Sequence, residues 1–450
     1  MNINIRRAIA LAFIIAFFIT APLLIFYTAG FRYNFKKAQV QRTGTLIVKT
    51  TPKNAQVSLN GKLLTATTPI RENNVLPDEY EITIEKAGYY PWQKKLEVHP
   101  QETTFIEDVL LFPQSQSEKI SDNKISLLSF SPGGSYALFE TREFEQDFLY
   151  LLNLNNFRQK LIFNNDKSWK DLSVLWAKDD SKALINIDHQ LLVATTIFPQ
   201  QKIDLQEQLN KLEAKPTNLK WDENDSNILY WQEKNTISEL NILAQTNTKI
   251  FTSAKDENFS DFLIKNNEVY LIEDINGTKF LTKQKLDDTK KLAAIELKSA
   301  DYYFDGFVQN HLLLFEKNYN TLFIFNPELD RIIFNKENVQ AVELASQDNF
   351  LSIITKQEIS YLKLDESELR ENNITRYSNG LSETHWAHTT ANYLFSLQDK
   401  KISALELDER DKRFTLEFPI PNIEKFIVNS NDAAIIFLQD GYLYQLPISE

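Results

Sequence analysis

The sequence predicts an all-β protein with one N-terminal transmembrane helix, a small β-sandwich and a seven- or eight-bladed β-propeller, with eight blades favoured. Three observations support this fold class. Residues 8–29 form one uncharged apolar run, residues 44–113 contain hairpin signals and alternating strands, and a group of short apolar strands recurs from residue 124 onward. Repeats with a period of about 40–45 residues are typical of propeller blades.

The apolar run reads AIALAFIIAFFITAPLLIFYTA from Ala8 to Ala29. At helical rise its length is about 33 Å, which matches a hydrocarbon core of about 30 Å. A cleaved signal peptide is the alternative, because Arg6 and Arg7 precede the run. The run is longer than the apolar part of a typical signal peptide and Pro22 lies where a cleavage site would be, so we predict an uncleaved signal anchor. Basic residues flank the run on both sides, so charge alone does not fix its orientation.

The charge of the chain is uneven along its length. The first 50 residues carry seven basic residues and no acid, and the formal net charge is −12, so the other 400 residues carry −19. An acidic body repels phosphates, which disfavours a nucleic-acid role. The chain has no cysteine, which excludes disulfides, thiolate nucleophiles and cysteine metal sites. Glycine is scarce, at 10 residues, so the turns must depend on Asn, Asp and Lys.

Residues 44–113 read as the strands of a small β-sandwich. Asn60-Gly61 stands between two apolar segments and is a strong hairpin signal. Glu79–Glu85 and Gln93–His99 alternate between apolar and polar residues, and a corner at residues 87–90 joins them. Strands with one apolar face each predict two packed sheets.

The segment TPKNAQVSLNGKLLTATTPI, followed by LPDEYEITIEKAGYYPWQKKLEV, resembles a PEGA domain. The residues that carry the resemblance are Thr51-Pro52, Ala55, Val57, Leu59-Asn60-Gly61, Thr68-Pro69, Leu76-Pro77, Tyr80 and Lys86-Ala87-Gly88-Tyr89. The four-residue motif after which the PEGA family is named appears here as Pro-Lys-Asn-Ala at 52–55. Glu79 stands where the family usually has a glycine before the tyrosine. Asn54 can adopt the left-handed turn conformation that glycine would hold. PEGA domains commonly follow a single membrane span in prokaryotic envelope proteins, so the resemblance implies an extracytoplasmic body and brings no catalytic residues.

Eight copies of the strand pattern follow the polar linker at residues 114–123. Their first strands begin with LLSFSP at Leu127, SVLWAK at Ser173, TNLKWD at Thr217, SDFLIK at Ser260, YYFDGF at Tyr302, QAVELA at Gln340, ETHWAH at Glu383 and EKFIVN at Glu424. Only the eighth copy lacks a fourth strand. An N-terminal strand that completes the last blade closes a propeller and removes its free edge, and residues 117–121 or FIEDVLLF could supply it.

The stretch SFSPGGSYALF in the first copy resembles the turn of TolB-like and WD-like propeller repeats. The corresponding turns in later copies are 178–181, 223–226 and 389–392. This resemblance implies the fold and no activity, because propellers serve as enzymes and as binding platforms.

Few residues suggest chemistry. Phosphate-binding glycine loops, GxSxG and HExxH are absent from the sequence. His385 and His388 with Glu383 could suggest a metal site, but residues three apart on a strand face opposite sides, so we interpret them as turn residues beside a packed Trp386. Residues 222–226 resemble part of a calcium loop but lack its glycine and distal glutamate, so we predict a turn.

The aligned tryptophans and the segment 204–212 also have structural interpretations. Trp176, Trp221 and Trp386 occupy one repeat position and could line a sugar-binding face, but a repeated position favours packing between blades. Residues 204–212, DLQEQLNKL, predict a short amphipathic helix that packs locally.

The predicted organisation is a cytoplasmic N-terminus (1–7), a transmembrane signal anchor (8–29), a juxtamembrane linker (30–43), a PEGA domain (44–113), a linker (114–123) and a propeller (124–450). We expect a single-pass membrane protein of the cell envelope whose extracytoplasmic propeller binds an envelope protein or a cell-wall glycan, with the PEGA domain as a spacer. The alternatives are a propeller hydrolase or lyase with a carboxylate pair in its channel, and a TolB-like partner of an envelope transport machine. We predict no catalytic, cofactor-binding or metal-binding residues and no cofactor.

Overall fold

The computed structural model describes residues 3–449 except 36, 166–167, 199–201, 206–208, 210–215, 254–257, 289, 346–348, 366–367 and 379. The chain divides into two compact units. The first comprises Met1–Gln116, Leu405–Thr415 and Ile448–Glu450, and the second comprises Ser117–Ala404 and Leu416–Pro447. The predicted helix at 204–212 lies largely outside the described residues.

The first unit begins with a single apolar helix, α1 (Ile3–Thr28), which contains Pro22. Its segment Ile9–Thr28 has a mean hydropathy of 2.8 and is not buried against any other part of the chain. The helix ends at Thr28, and Gly30, two residues later, has a φ of 79°, the left-handed conformation common after a helix C-terminus. By length and composition this helix can cross a bilayer, and a signal sequence has the same properties.

A two-stranded hairpin follows the helix directly. Strands β1 (Phe31–Asn34) and β2 (Gln39–Arg42) pair antiparallel. The segment 30–43, which the sequence suggested as a linker, therefore contains regular structure.

A small β-sandwich forms the rest of the first unit. Its strands are β3 (Gly44–Thr51), β4 (Gln56–Leu59), β5 (Lys62–Leu63), β6 (Ile70–Val75), β7 (Asp78–Glu85), β8 (Trp92–Val98) and β9 (Thr103–Leu110). One sheet has the order β6-β3-β9 and the other β5-β4-β7-β8. The predicted hairpin at Asn60-Gly61 is confirmed, since both residues have positive φ between β4 and β5, and Asn54 has a φ of 64° as expected. The core between the sheets includes Leu46, Val48, Val57, Ile82, Ile84, Trp92, Leu96 and Val98.

A buried lysine lies among these apolar side chains. Residues of β8 alternate between buried and exposed, and Lys94 is on the buried face with its side chain fully enclosed. The Lys94 Nζ lies 2.9 Å from Glu406 and 3.3 Å from Asp408, and it donates a 2.7 Å hydrogen bond to the Asp408 carbonyl. The Trp92 indole donates to the same Glu406 carboxylate at 3.2 Å. Burial raises the pKa of Glu406, and Lys94 opposes that shift. Segment Leu405–Thr415 thus supplies the counter-charges for a lysine inside the first unit.

The second unit contains eight four-stranded antiparallel sheets, which we call blades 1 to 8. Strand β10 (Glu118–Lys119) precedes them. Blade 1 contains β11 (Ile125–Phe130), β12 (Tyr136–Glu143), β13 (Gln146–Asn153) and β14 (Gln159–Asn165). Blade 2 contains β15 (Leu172–Trp176), β16 (Lys182–Ile187), β17 (Gln190–Thr195) and β18 (Ile203–Asp204). Blade 3 contains β19 (Thr217–Trp221), β20 (Ile228–Glu233), β21 (Thr236–Asn241) and β22 (Thr246–Thr252). Blade 4 contains β23 (Asn258–Lys265), β24 (Glu268–Ile275), β25 (Thr278–Lys285) and β26 (Lys291–Leu297).

The remaining blades follow the same order. Blade 5 contains β27 (Tyr302–Val308), β28 (His311–Glu316), β29 (Thr321–Asn326) and β30 (Arg331–Lys336). Blade 6 contains β31 (Val339–Leu344), β32 (Phe350–Thr355), β33 (Glu358–Lys363) and β34 (Glu371–Arg376). Blade 7 contains β35 (Leu381–Trp386), β36 (Tyr393–Gln398), β37 (Lys401–Glu406) and β38 (Thr415–Glu417). Blade 8 contains β39 (Ile423–Val428), β40 (Ala434–Gln439) and β41 (Tyr442–Pro447), with β10 as its fourth strand.

The predicted closure of the ring is confirmed. Glu118 of β10 stands opposite Gln445 of β41, and the Ile120 amide donates to the Leu443 carbonyl at 2.8 Å. The Leu443 amide in turn donates to Ser121 Oγ at 2.9 Å. Closure gives a partner to the edge that the last strand would otherwise leave open. The described residues of the second unit therefore form eight blades.

Apolar cores lie between successive blades. Pairs from shared buried clusters are Leu138 with Ile185, Val193 with Leu229, Ile237 with Phe262, Leu281 with Phe304, Leu322 with Ile353, and Ile436 with Ala137. The last pair joins blade 8 to blade 1. Ring contacts of Trp386 with Phe350, and of His385 with Phe426, connect blades 6 to 7 and 7 to 8. We therefore describe the second unit as an eight-bladed propeller.

Polar residues replace glycine in the turns, as expected. Consecutive positive φ values occur at Asp188 and His189, at Asn266 and Asn267, and at Asp399 and Lys400, which connect adjacent strands. Side chains that tolerate this conformation, Asn and Asp above all, let a chain with ten glycines make many tight hairpins.

An aspartate from one turn binds the turn of the preceding blade. Asp180 of blade 2 is buried and accepts hydrogen bonds from Ser131 Oγ at 2.8 Å, the Gly133 amide at 2.8 Å and the Ser135 amide at 3.2 Å. Asp432 of blade 8 binds residues 388–389 of blade 7 in the same way. The SPGGS turn is therefore held by its neighbour.

The Asp180→Asn variant is expected to lower the free energy of unfolding of the propeller by about 1–3 kcal/mol, because an amide cannot accept all three hydrogen bonds and its NH₂ group faces donors. Chemical denaturation measures this change. The exposed Asp171, in the same blade, provides the matched control Asp171→Asn, which should change stability by less than about 0.5 kcal/mol. Equal stability of the two variants would show that Asp180 does not hold the turn.

Candidate functional site in the propeller channel

The first strands of the blades form the inner layer of the ring, and charged side chains concentrate on them. Successive first strands contact one another, as β23 does with β27 and β35 with β39. Lys220, Asp261, Glu343, Glu383 and His385 all lie on these strands. The enclosed surface is where a propeller enzyme would place its acids, so the partners of each charged group decide what it can do.

Three of the acids accept main-chain hydrogen bonds from the next blade. Asp261 accepts from the Phe304 amide at 2.7 Å, Glu343 from the Trp386 amide at 3.3 Å, and Glu383 from the Phe426 amide at 3.0 Å. A first strand has a sheet partner on one side only, so its other main-chain groups need another acceptor. These carboxylates supply it, and they therefore join neighbouring blades.

His385 lies between two of these carboxylates. Its Nδ1 is 3.5 Å from Glu343 and its Nε2 is 3.7 Å from Glu383, while its ring meets Phe426 edge to face at 4.8 Å. Burial alone would lower the pKa of His385, but the charges and hydrogen bonds of Glu343 and Glu383 raise it to about 10. The imidazole is therefore charged near neutral pH. A group with such a pKa is poorly matched to proton transfer near neutral pH, so this arrangement suits an ionic link between blades 6, 7 and 8 better than a general base.

Lys220 and Asp261 form a second ionic cluster. Lys220 Nζ lies 2.7 Å from Asp261 and 5.8 and 5.6 Å from the ring centroids of Phe262 and Phe304. Burial lowers the pKa of Lys220, and the Asp261 charge opposes that shift. Asp261 uses its other oxygen for the Phe304 amide. The cluster therefore links blades 3, 4 and 5.

A polar cluster joins the turns that follow the first strands of blades 2 and 3 to the first strand of blade 5. Lys178 of blade 2 lies 2.8 Å from Glu223 of blade 3, and its Nζ donates to the Phe307 carbonyl of blade 5 at 2.9 Å. Glu223 accepts from the Phe307 amide at 3.3 Å. Gly306 has a φ of 132°, and an added Cβ would lie 3.1 Å from Glu223. These contacts join blades that are not neighbours, so polar side chains bridge the channel at this level.

The aligned tryptophans are confirmed as packing residues. Each ends a first strand and donates its indole N–H to the first strand of the preceding blade: Trp176 to Ser129 Oγ at 3.0 Å, Trp221 to the Leu175 carbonyl at 2.9 Å and Trp386 to the Glu343 carbonyl at 3.1 Å. Trp386 is almost fully buried. Trp221 is also buried and Trp176 is partly buried, so all three pack between blades.

The other candidate ligands from the sequence lie in separate environments. His385 is on strand β35, so its interpretation as a turn residue is wrong, whereas His388 is in the following turn with its ring near the Val428 carbonyl. Asp222 accepts from the amides of its own turn at 224 and 225, which confirms the predicted turn at 222–226. Within the described part of the chain, no group of three or more His, Asp or Glu residues could hold a metal ion.

Lys220, Asp261 and Glu343 were not predicted from the sequence to form ionic or main-chain links between blades. The available signal was a charged residue within an otherwise apolar strand, as in TNLKWD, SDFLIK and QAVELA. Their partners lie about one repeat away, which the sequence alone does not show.

The stability that His385 contributes should depend on pH. Because its folded pKa is raised, the contribution is fully present below the unfolded value of 6.5 and is lost as pH rises toward about 10. We expect the wild-type unfolding temperature to fall over this window, and the His385→Gln variant to lack that part of the decline. The exposed His189, changed to Gln, controls for the loss of an imidazole elsewhere in the propeller. An unchanged profile in His385→Gln would contradict the ionic link.

Comparisons with known proteins support the first unit most directly. Residues 43–110 match the family model of the PEGA domain, which covers the sandwich strands. A search of curated proteins found no match. Among solved structures, the chain is similar to the WD40 domain of SCAP from fission yeast, at 11% identity and a TM-score of 0.44, with 75% of this chain and 99% of that chain covered. It is also similar to a eukaryotic initiation factor, at 11% identity and a TM-score of 0.48, with 74% and 87% covered.

These structural likenesses are too distant to carry an argument, so the propeller assignment rests on the sheet order and ring closure described above. The chain thus combines an N-terminal apolar helix, a region that matches the PEGA domain and an eight-bladed propeller.

Proposed function

We propose that this protein is anchored in a cell membrane by α1 and that its propeller is an extracytoplasmic platform that binds an envelope protein or a cell-wall glycan. The PEGA region (residues 43–110) acts as a spacer. The observation that carries the proposal is the apolar segment Ile9–Thr28, none of which is buried inside the described structure. A surface of this length and hydropathy needs an apolar environment.

Contacts at the end of the helix favour an anchor that is kept. The Arg32 guanidinium donates to the Tyr27 carbonyl at 2.7 Å and stacks over the Tyr27 ring at 3.7 Å. Phe26 packs edge to face on Phe31 at 5.2 Å. Cleavage after the helix would remove these partners and leave Phe31 and Arg32 without them.

The channel chemistry favours binding over catalysis. Asp261, Glu343 and Glu383 hold main-chain amides of the next blade, and His385 is held in its charged form. Groups committed to such links are poorly placed to exchange protons with a substrate. These links favour a binding site on a face of the propeller over a catalytic site inside the channel.

Alkaline carbonate extraction of membranes tests the anchor. The full-length chain should remain with the membranes, whereas the double change Ile14→Arg and Phe18→Arg should release it. The change Phe144→Arg, at an exposed propeller turn, is the matched control and should leave the chain in the membrane. Recovery of a soluble chain shortened near residue 29 would overturn the anchor and favour a signal peptide.

Binding is tested with the detergent-solubilised full-length chain. It should be retained on cell-wall fragments or capture a discrete membrane protein, and retention by neither would contradict the platform. Capture of a transport component would favour the TolB-like alternative.

A hydrolase or lyase is the second candidate, and the grouping of Glu343, His385 and Glu383 on blades 6 and 7 is the observation that favours it. Release of soluble fragments from purified wall by the wild type, lost in Glu383→Gln, would support that alternative over the platform.

A further inference from the structure

The hairpin that follows the helix is amphipathic. Phe31 stands opposite Arg42 and Tyr33 opposite Val40, so these four side chains share one face. The other face carries Asn34 opposite Gln39, and the Asn34 amide donates to Gln41 Oε1 at 2.9 Å. One face of the hairpin is therefore aromatic and apolar, and the other is polar.

The apolar face is exposed to a degree that is uncommon for such side chains. Phe35 at the tip is 88% exposed, Val40 is 59% exposed and Tyr33 is 49% exposed. Tyr33 and Phe35 contact each other edge to face at 5.0 Å, so they form one patch. Within the described part of the first unit, the apolar surface of this patch continues directly into α1 through the contact of Phe26 with Phe31.

Positive charge surrounds the patch. The Arg42 guanidinium lies 5.0 Å from the Phe31 ring centroid, and Arg32 covers the end of the helix. No Asp or Glu precedes Glu72 in the sequence, although the body of the protein is acidic. Aromatic side chains and arginines next to an apolar helix suit the interface between acyl chains and anionic headgroups.

The hairpin is also held to the sandwich. Lys37 Nζ lies 3.7 Å from Asp78 and donates to the Pro77 carbonyl at 3.4 Å. The Thr43 amide and hydroxyl both bind the Gly30 carbonyl at 2.9 Å, which closes the base of the hairpin. The aromatic face therefore has a defined direction relative to the helix end.

We propose that the hairpin formed by Phe31–Asn34 and Gln39–Arg42 lies in the membrane interface, with its aromatic face among the upper acyl chains and Arg32 and Arg42 on anionic phospholipid headgroups. The proposal rests on the membrane anchor proposed above. The hairpin would fix the depth of the helix and hold the PEGA region at the bilayer surface. The occupant of the patch is the bilayer itself, because the patch continues the surface of the apolar helix and carries the opposite charge to anionic lipid.

The test uses the full-length chain in lipid nanodiscs. Because the protein has no cysteine, Phe35→Cys can be labelled at one position with an environment-sensitive fluorophore. Leu63→Cys, at a 56% exposed position of the sandwich, is the matched control. We expect brominated lipid to quench the label at 35 and aqueous acrylamide to quench the label at 63.

The charge is tested with brominated anionic and neutral lipid. We expect Arg42→Gln to lower the preference of the label at 35 for the anionic lipid about five-fold, and the same change at the exposed Lys62 to leave the preference unchanged. Equal acrylamide quenching at 35 and 63, in protein that is recovered in the discs, would overturn the hairpin proposal and leave the anchor intact. Failure to recover the chain in discs would overturn both.

Discussion

Replacing Lys94 with methionine is expected to lower the free energy of unfolding of the first unit by about 3–5 kcal/mol, because it leaves the buried Glu406 carboxylate without its counter-charge. Asp408 keeps its ion pair with Arg410, at 2.8 Å. Lys94 is fully enclosed and the Glu406 side chain is only 5% exposed. Native-state hydrogen exchange of the β8 amides measures the change in this unit separately from the propeller.

The neighbouring residue provides the control for Lys94. Lys95 is exposed on the opposite face of β8, so Lys95→Met removes the same charge without uncovering a buried acid. It should change the exchange-derived free energy by less than about 0.5 kcal/mol. If Lys94→Met has no larger effect than Lys95→Met, the ion cluster does not stabilise the first unit.

A disulfide across the ring closure is expected to stabilise the propeller by about 2–4 kcal/mol, because it joins two ends of the unit that are distant in sequence. Glu118 and Gln445 stand directly opposite each other in the β10–β41 pair, and the chain has no other cysteine that could compete. The double variant Glu118→Cys and Gln445→Cys should form the bond on oxidation, and the oxidised protein should unfold at a higher denaturant concentration than the reduced one.

The register of the pair gives its control. Tyr442 lies three residues before Gln445 on β41, roughly 10 Å along the strand and on its opposite face, so Glu118→Cys with Tyr442→Cys should cross-link poorly. A double variant at 118 and 445 that does not oxidise, or that gains no stability on oxidation, would contradict closure by β10.

Much of the propeller could be predicted because its signals repeat. The same group of apolar strands and polar turns recurs at a nearly fixed period, so a signal that is weak in one copy is supported by the other seven. The same period shows that the last copy lacks its fourth strand. The tryptophans illustrate this, since their shared position indicated packing and each donates to the preceding blade.

What the sequence could not show depends on contacts between distant residues. Lys94 falls on the apolar face of an alternating strand, which is a signal for a buried lysine, but its partners Glu406 and Asp408 lie more than three hundred residues later. Segment Leu405–Thr415 includes the end of β37 and the start of β38 in blade 7, but it is grouped with the first unit. The hairpin of Phe31–Asn34 and Gln39–Arg42 was hidden because short basic strands next to an apolar helix resemble a linker.

The charged groups of the channel were hidden for a different reason. Glu343 and Asp261 are ordinary residues in their own strands, and their role appears only when the next blade presents an amide. His385 shows the same limit, because its raised pKa depends on acids from two blades.

Labelling of intact cells tests the central claim of an anchored, extracytoplasmic propeller most directly. Phe144 is 99% exposed in a propeller turn, so Phe144→Cys gives one accessible thiol in a chain that has none of its own. Asn4→Cys, which precedes the apolar run, marks the opposite side of the membrane. A membrane-impermeant maleimide should label position 144 in intact cells and position 4 only after permeabilisation. Labelling of position 144 only after permeabilisation would contradict the account.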